Sequence, residues 1–157
     1  MLVLFRHAKA ERPVGVGDFE RPLTDRGQRD SRAAGTWLAA NGYRPDLVLC
    51  SSARRARQTW KYAATVIDPK PTVDYRRELY DAGHADELLA VIREAPASAG
   101  VVAVVGHNPT MEWLSSALDP GAAELRTAGI AVHSVDGEWA SLEPGAAPVT
   151  ASTTARG

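Results

Sequence analysis

Two histidines stand at matching places in this sequence. Leu2-Val3-Leu4-Phe5 runs into Arg6-His7, and Val101-Val102-Ala103-Val104-Val105 runs into Gly106-His107. A third apolar run, Leu47-Val48-Leu49, leads to Ser51, Ser52, Arg54, Arg55 and Arg57. A neutral imidazole is a good nucleophile toward phosphorus near pH 7, because its pKa leaves a lone pair free. Guanidinium groups stay charged and donate in a planar fork that suits phosphate oxygens. Phosphoryl transfer needs little beyond in-line positioning and neutralised equatorial oxygens. A second histidine, kept protonated by a bound anion, adds another charged donor. Such a clamp is built from side chains alone and needs no metal and no cofactor.

These residues meet only if the elements that carry them share one edge. The apolar runs at 2–5, 47–49 and 101–105 show no alternation and read as strands buried on both faces. Helical spacing is expected from about Asp25 to Asn41, with Gly42 as the stop, and from about Ala53 to Val66, with Ser52 as N-cap. A further helix is expected over Asp86–Glu94, and another to about Leu118, with Asn108 as N-cap and Pro109 at the first turn. Residues 11–22 hold Pro13, Gly15, Gly17 and Pro22 and read as a loop, and Thr72-Val73 as a short strand. Ile130–Val132 and Trp139–Leu142 are expected to pair around Asp136-Gly137. The tryptophans at 37, 60 and 113 fall on apolar helix faces and are expected in the core. From Pro144 onward Pro, Gly, Ala, Ser and Thr dominate, which predicts a domain over 1–143 and a disordered tail over 144–157. Strands alternating with helices imply an α/β fold with a mostly parallel sheet. Ligand sites in open sheets of this class lie beyond the carboxyl ends of the strands, where all three runs end.

Composition narrows the partners. The chain has 157 residues, one domain's worth, with 45% hydrophobic and 24% charged residues. A net charge of -1 gives no global basic field to suggest nucleic acid or an anionic membrane. Cys50 is the only cysteine, so no intramolecular disulfide forms, and it reads as a small core residue. His84 and His133 have no motif around them and read as surface or structural. No apolar run approaches the ~18 residues of a membrane span, and the chain is read as a cytoplasmic monomer.

Four segments together are specific. Arg6-His7-Ala8, Arg21-Pro22-Leu23-Thr24-Asp25-Arg26-Gly27, Ser51-Ser52-Ala53-Arg54-Arg55-Ala56-Arg57-Gln58-Thr59 and Gly106-His107-Asn108-Pro109 resemble, in order, the motifs of the histidine phosphatase superfamily. The short chain, and Arg-His-Ala in place of the commoner Arg-His-Gly, are similar to its compact SixA-type phosphohistidine phosphatase branch. The resemblance implies a phosphoglycerate-mutase-like three-layer α/β/α sandwich. It implies His7 as nucleophile, Arg6, Arg55 and His107 as phosphate ligands, and Arg21 as an assisting one. Ser51 and Asn108 are expected to contribute to substrate binding. The family's proton donor follows the arginine helix, and Asp81 in Glu78-Leu79-Tyr80-Asp81 is the best positional match. The expected activity is metal-independent dephosphorylation of phosphohistidine on a protein. The alternatives are hydrolysis of a small phosphomonoester and a catalytically silent phospho-ligand binding module.

Overall fold

The computed structural model describes all of residues 1–157. In chain order the elements are β1 (Leu2–Arg6), α1 (Asp25–Ala40), β2 (Leu47–Ser51), α2 (Arg54–Ala63), β3 (Thr72–Arg76), α3 (Glu78–Asp81), α4 (Ala85–Arg93), β4 (Val102–Gly106), α5 (Thr110–Leu118), β5 (Gly129–His133) and β6 (Val149–Thr154). The strands form one sheet in the order β3-β2-β4-β1-β5-β6. The first four are parallel, and β5 runs antiparallel to both β1 and β6. No helix is long and apolar enough to cross a membrane.

Strand pleating divides the core in two. Leu2, Leu4, Leu49, Val102 and Val104 turn to one face and pack with Leu79, with Leu88 and Ile92 of α4, and with Met111 and Leu114 of α5. Val3, Phe5, Val48, Cys50, Ala103 and Val105 turn to the other, against Leu38 of α1 and Trp60 and Ala63 of α2. Burial on both faces is why these strands read as unbroken apolar runs. Each large side chain so enclosed contributes roughly 1.5–3 kcal/mol. The result is an α/β/α sandwich of the phosphoglycerate-mutase type. Thr24 caps α1, its hydroxyl accepting from the Gly27 amide at 2.9 Å. A side chain at Gly27 would collide with the Lys9 carbonyl, so the start of α1 lies directly on the loop that leaves β1.

Several expectations are corrected. The segment 144–157, read as a disordered tail, supplies β6, which pairs along β5 from Gly129↔Thr154 to His133↔Val149. Its composition hid an alternating strand in which Val149, Thr150, Thr153 and Thr154 have high β-propensity. Beyond it, Gly157 N donates to the buried carboxylate of Asp30 at 2.9 Å. Trp139–Ser141 is a 3-10 turn instead of a partner for β5, because β6 fills that edge and Trp139 buries its ring, donating Nε1–H to Ala99 O at 2.8 Å. Ser52 is not the cap of α2, and Asn108 does not cap α5, which starts at Thr110. Trp60 is buried, Trp37 is half-buried beside Tyr43, but Trp113 is 51% exposed and outside the core. His133 is buried between Ser115 and the Ala147 carbonyl, His84 is exposed, and Cys50 is enclosed in the core.

Candidate active site

Strand register brings the two histidines together. Arg6 lies opposite Gly106 across the β1–β4 ladder, so the next residues, His7 and His107, leave neighbouring strands side by side. The His7 amide donates to Gly106 O at 3.0 Å, and the two rings are 5.1 Å apart, centre to centre. Cys50 lies opposite Val105, which carries Ser51 to His107: Ser51 Oγ is 2.7 Å from His107 Nε2. Arg55, in the first turn of α2, is buried and reaches the same edge. Thr59 braces it, donating to the Arg55 carbonyl at 2.7 Å and accepting from the Ala8 amide at 3.0 Å.

Hydrogen-bond partners fix the ring protons. His7 Nδ1 is 2.7 Å from the Ala8 carbonyl, which can only accept. The neutral ring therefore carries its proton on Nδ1 and its lone pair on Nε2. Ser51 accepts from the Ala53 amide at 3.2 Å, and His107 Nε2 is the one acceptor its buried hydroxyl proton can reach. That assigns the His107 ring proton to Nδ1. Three buried donors have no partner: His107 Nδ1, Arg6 Nε and Arg55 Nε. All three residues line a cavity of about 240 Å³ together with His7 and Arg21, to which Lys9 and Arg12 add two more cations. No carboxylate lines it. A cavity lined by this many cations and no carboxylate suits an anion with several oxygens.

A second cavity of about 380 Å³ adjoins the first, sharing Arg55, His107 and Asn108 and adding Tyr80 and Asp81. Asp18 also lines this second cavity and was not singled out in the sequence. Its carboxylate accepts from Arg21 at 2.9 Å, from Arg55 at 3.1 Å and from the Tyr80 hydroxyl at 2.7 Å, while its carbonyl accepts from Arg55 at 2.7 Å. These bonds, that of Tyr80 foremost, hold Asp18 well below the usual carboxylate range. Asp18 thus orients both arginine forks, and Tyr80 lays its ring edge against His107 at 5.6 Å. Glu112 was missed as well. It accepts from the Asn108 side chain at 3.1 Å and from the Leu125 amide at 2.9 Å. The Leu125 carbonyl in turn receives Arg6 at 3.0 Å and Asn108 at 2.8 Å.

The other expected residues divide. Asn108 lines both cavities, but its amide protons are taken, leaving a buried Oδ1 that can only accept. Asp81 borders the second cavity, is 58% exposed and pairs with Arg77 at 3.3 Å. Ser51 is the correction: it has no exposed surface and its hydroxyl is spent on His107, so it positions that ring and does not reach a substrate.

Burial governs the histidines' charge. It lowers the His7 pKa to about 3, with His107 adding to the effect, the Ala8 bond opposing it, and Arg55 and Arg6 adding again. It lowers that of His107 to about 4, helped by Arg55. Both values lie below the ordinary 6.5, so the neutral rings stabilise the fold fully above about pH 6.5, and that stability is lost as the pH falls toward 4. The unfolding free energy should drop by about 2 kcal/mol per histidine between pH 7.5 and pH 5. Urea denaturation at the two pH values checks this, and the His7→Asn/His107→Asn variant should lose most of the difference.

Residues 2–88 match the model of the histidine phosphatase superfamily (branch 1), and the chain belongs to that family. Among curated proteins it is 41% identical, over 90% of its length and 94% of the relative's, to the uncharacterised protein Rv1276c of Mycobacterium tuberculosis. A solved structure from Nakamurella multipartitia, described as a candidate phosphohistidine phosphatase SixA, superposes with a TM-score of 0.85 at 36% identity, covering 98% of this chain and 95% of that one. A second, from Agrobacterium tumefaciens and described likewise, gives 0.80 at 29% identity, covering 97% and 96%.

Proposed function

We propose that this chain dephosphorylates phosphohistidine on a protein by way of a phosphohistidine formed on His7. The observation that carries the reading is a single cavity lined by His7, Arg6, Arg21, Arg55 and His107, with no carboxylate among its lining residues. Nε2 attacks phosphorus from the side opposite the leaving nitrogen. The P–N bond of the substrate breaks, its electron pair stays with the departing imidazole, and that nitrogen takes up a proton. Arg6, Arg55 and His107 hold the equatorial oxygens, Arg21 assists, and the charge is met by side chains alone. Water then attacks the phosphorus on His7, inorganic phosphate leaves, and Nε2 regains its lone pair.

Two observations support a protein substrate. At 157 residues the chain has few long insertions to roof the site, and the superposed structures named above are described as candidate phosphohistidine phosphatases. A phosphohistidine peptide should give a kcat/KM at least about tenfold above a panel of sugar and nucleotide phosphates. The reverse order would favour a small-molecule phosphomonoesterase, and binding without turnover a silent module.

Asp81 is the residue proposed to move the proton. A protonated imidazole leaves readily, whereas an alkoxide depends on a positioned acid, whose contribution is typically ~10²–10⁴-fold. Asp81→Asn should therefore slow hydrolysis of an alkyl phosphomonoester by about 10²-fold and that of phosphohistidine by less than about tenfold. Steady-state rates on the two substrates check this.

A further inference from the structure

The run Arg54-Arg55-Ala56-Arg57 splits across α2. Arg55 turns inward to the catalytic edge, while Arg54 and Arg57 face out and, with Lys61, form a stripe at helical spacing. None of the three pairs with a carboxylate; Arg57 gives only Nε–H to the Ser52 carbonyl, at 2.8 Å. They line a cavity of about 730 Å³ between α2 and β3, walled by the aromatic rings of Phe19 and Tyr75. Lys61 and Tyr75 also line a second cavity of about 390 Å³, which continues the furrow to Lys70 and Pro71. No carboxylate borders either one. In a chain of net charge -1, this concentrates positive charge on one face.

The furrow opens beside the catalytic edge. Phe19 in its wall packs edge-on to Tyr80, 5.0 Å between ring centres, and Tyr80 packs on His107 at 5.6 Å. A polypeptide whose phosphorylated side chain lies against His7 would run toward the furrow by way of Phe19, whose ring carries the Arg77 guanidinium at 4.5 Å, a further cation on that route. From Arg54 to Lys61 the helix rises about 10 Å. An extended chain covers that in about three residues.

We infer that this furrow docks an acidic segment of the phosphoprotein substrate, with carboxylates opposite Arg54, Arg57 and Lys61. The inference rests on the phosphohistidine reading above and names what lies beside the phosphorylated residue. Exposed cations at such a rim act by complementarity and steering, screened by salt.

The test uses two phosphohistidine peptides that differ only in a flanking Glu-Asp-Glu or Gln-Asn-Gln, separated from the phosphohistidine by a short spacer. The full-length protein should prefer the acidic peptide by about tenfold in kcat/KM at low salt, and less at 0.5 M salt. The variant Arg54→Ala/Arg57→Ala/Lys61→Ala should lose that preference. The ratio between the peptides is the readout, so it holds even if the absolute rate changes, and turnover of p-nitrophenyl phosphate confirms an assembled site. No preference in the wild type, or one that survives in the variant, would overturn the docking site alone. Competition by a short oligonucleotide stronger than by the acidic peptide would overturn it too. Failure of the wild type to hydrolyse either peptide would overturn the phosphohistidine reading and the docking site with it.

Discussion

Replacing His7 with alanine is expected to lower kcat on any phosphorylated substrate by at least about 10⁴-fold, as removal of a covalent nucleophile does. No neighbour can take its place. His107 Nε2 is bound to Ser51 and its ring proton is assigned to Nδ1, so it offers no lone pair to the cavity. Cys50 is sealed in the core, where burial pushes its thiol far up from the ordinary value. The vacated site keeps Arg6, Arg21, Arg55 and His107, so phosphate binding should survive. Single-turnover rates with isothermal titration of inorganic phosphate separate the two effects. Near-normal turnover in the His7→Ala protein would sink the mechanism.

The second large effect is expected at Arg55. Its guanidinium gives both terminal nitrogens to Asp18 and keeps Nε unpartnered beside His7 and His107. Loss of one preorganised donor in such a site costs about 10²–10³-fold in kcat. Arg55→Ala should reach at least that range, because it also leaves the Asp18 carboxylate with Arg21 as its one paired cation, less compensated beside the incoming phosphoryl group. Arg55→Lys should recover little, since an ammonium cannot hold Asp18 in a two-pronged grip and present a third donor at the same time. Asp18→Asn, which removes charge and keeps shape, separates the two contributions. It should raise KM through loosened arginines and lower kcat less than Arg55→Ala. Steady-state kinetics of the three variants check this order.

The sequence showed the parts of the site that strand ends deliver. An apolar run ending in Arg6-His7 and another ending in Gly106-His107 are local signals, and a parallel ladder turns them into one place. The same signal brought Arg54, Arg55 and Arg57 to that edge, since α2 starts just past β2, and the family resemblance singled out Arg55 among them. Asp18 was not. It lies in a loop whose path depends on Arg21, Arg55 and Tyr80, residues up to 62 positions away, and nothing local separates it from Glu11 or Glu20. Glu112 was hidden likewise, because its partners Asn108 and Leu125 meet only once α5 is docked. Ser51 was assigned to the right place and the wrong task, since its composition does not reveal that its hydroxyl bonds His107. The strand at 149–154 was lost in a stretch of small residues, where alternation is faint without large apolar side chains.

In the proposed mechanism phosphorus is carried on Nε2 of His7. The most direct measurement mixes wild-type protein with a labile phosphodonor for milliseconds and quenches in alkali, which preserves P–N bonds. Phosphorus NMR and peptide mass spectrometry then locate the phosphoryl group. A transient phosphohistidine on His7 is expected, substituted at Nε2 and not at the Nδ1 that faces the Ala8 carbonyl. Phosphate on Nδ1, on another residue, or on no residue during active turnover would contradict it.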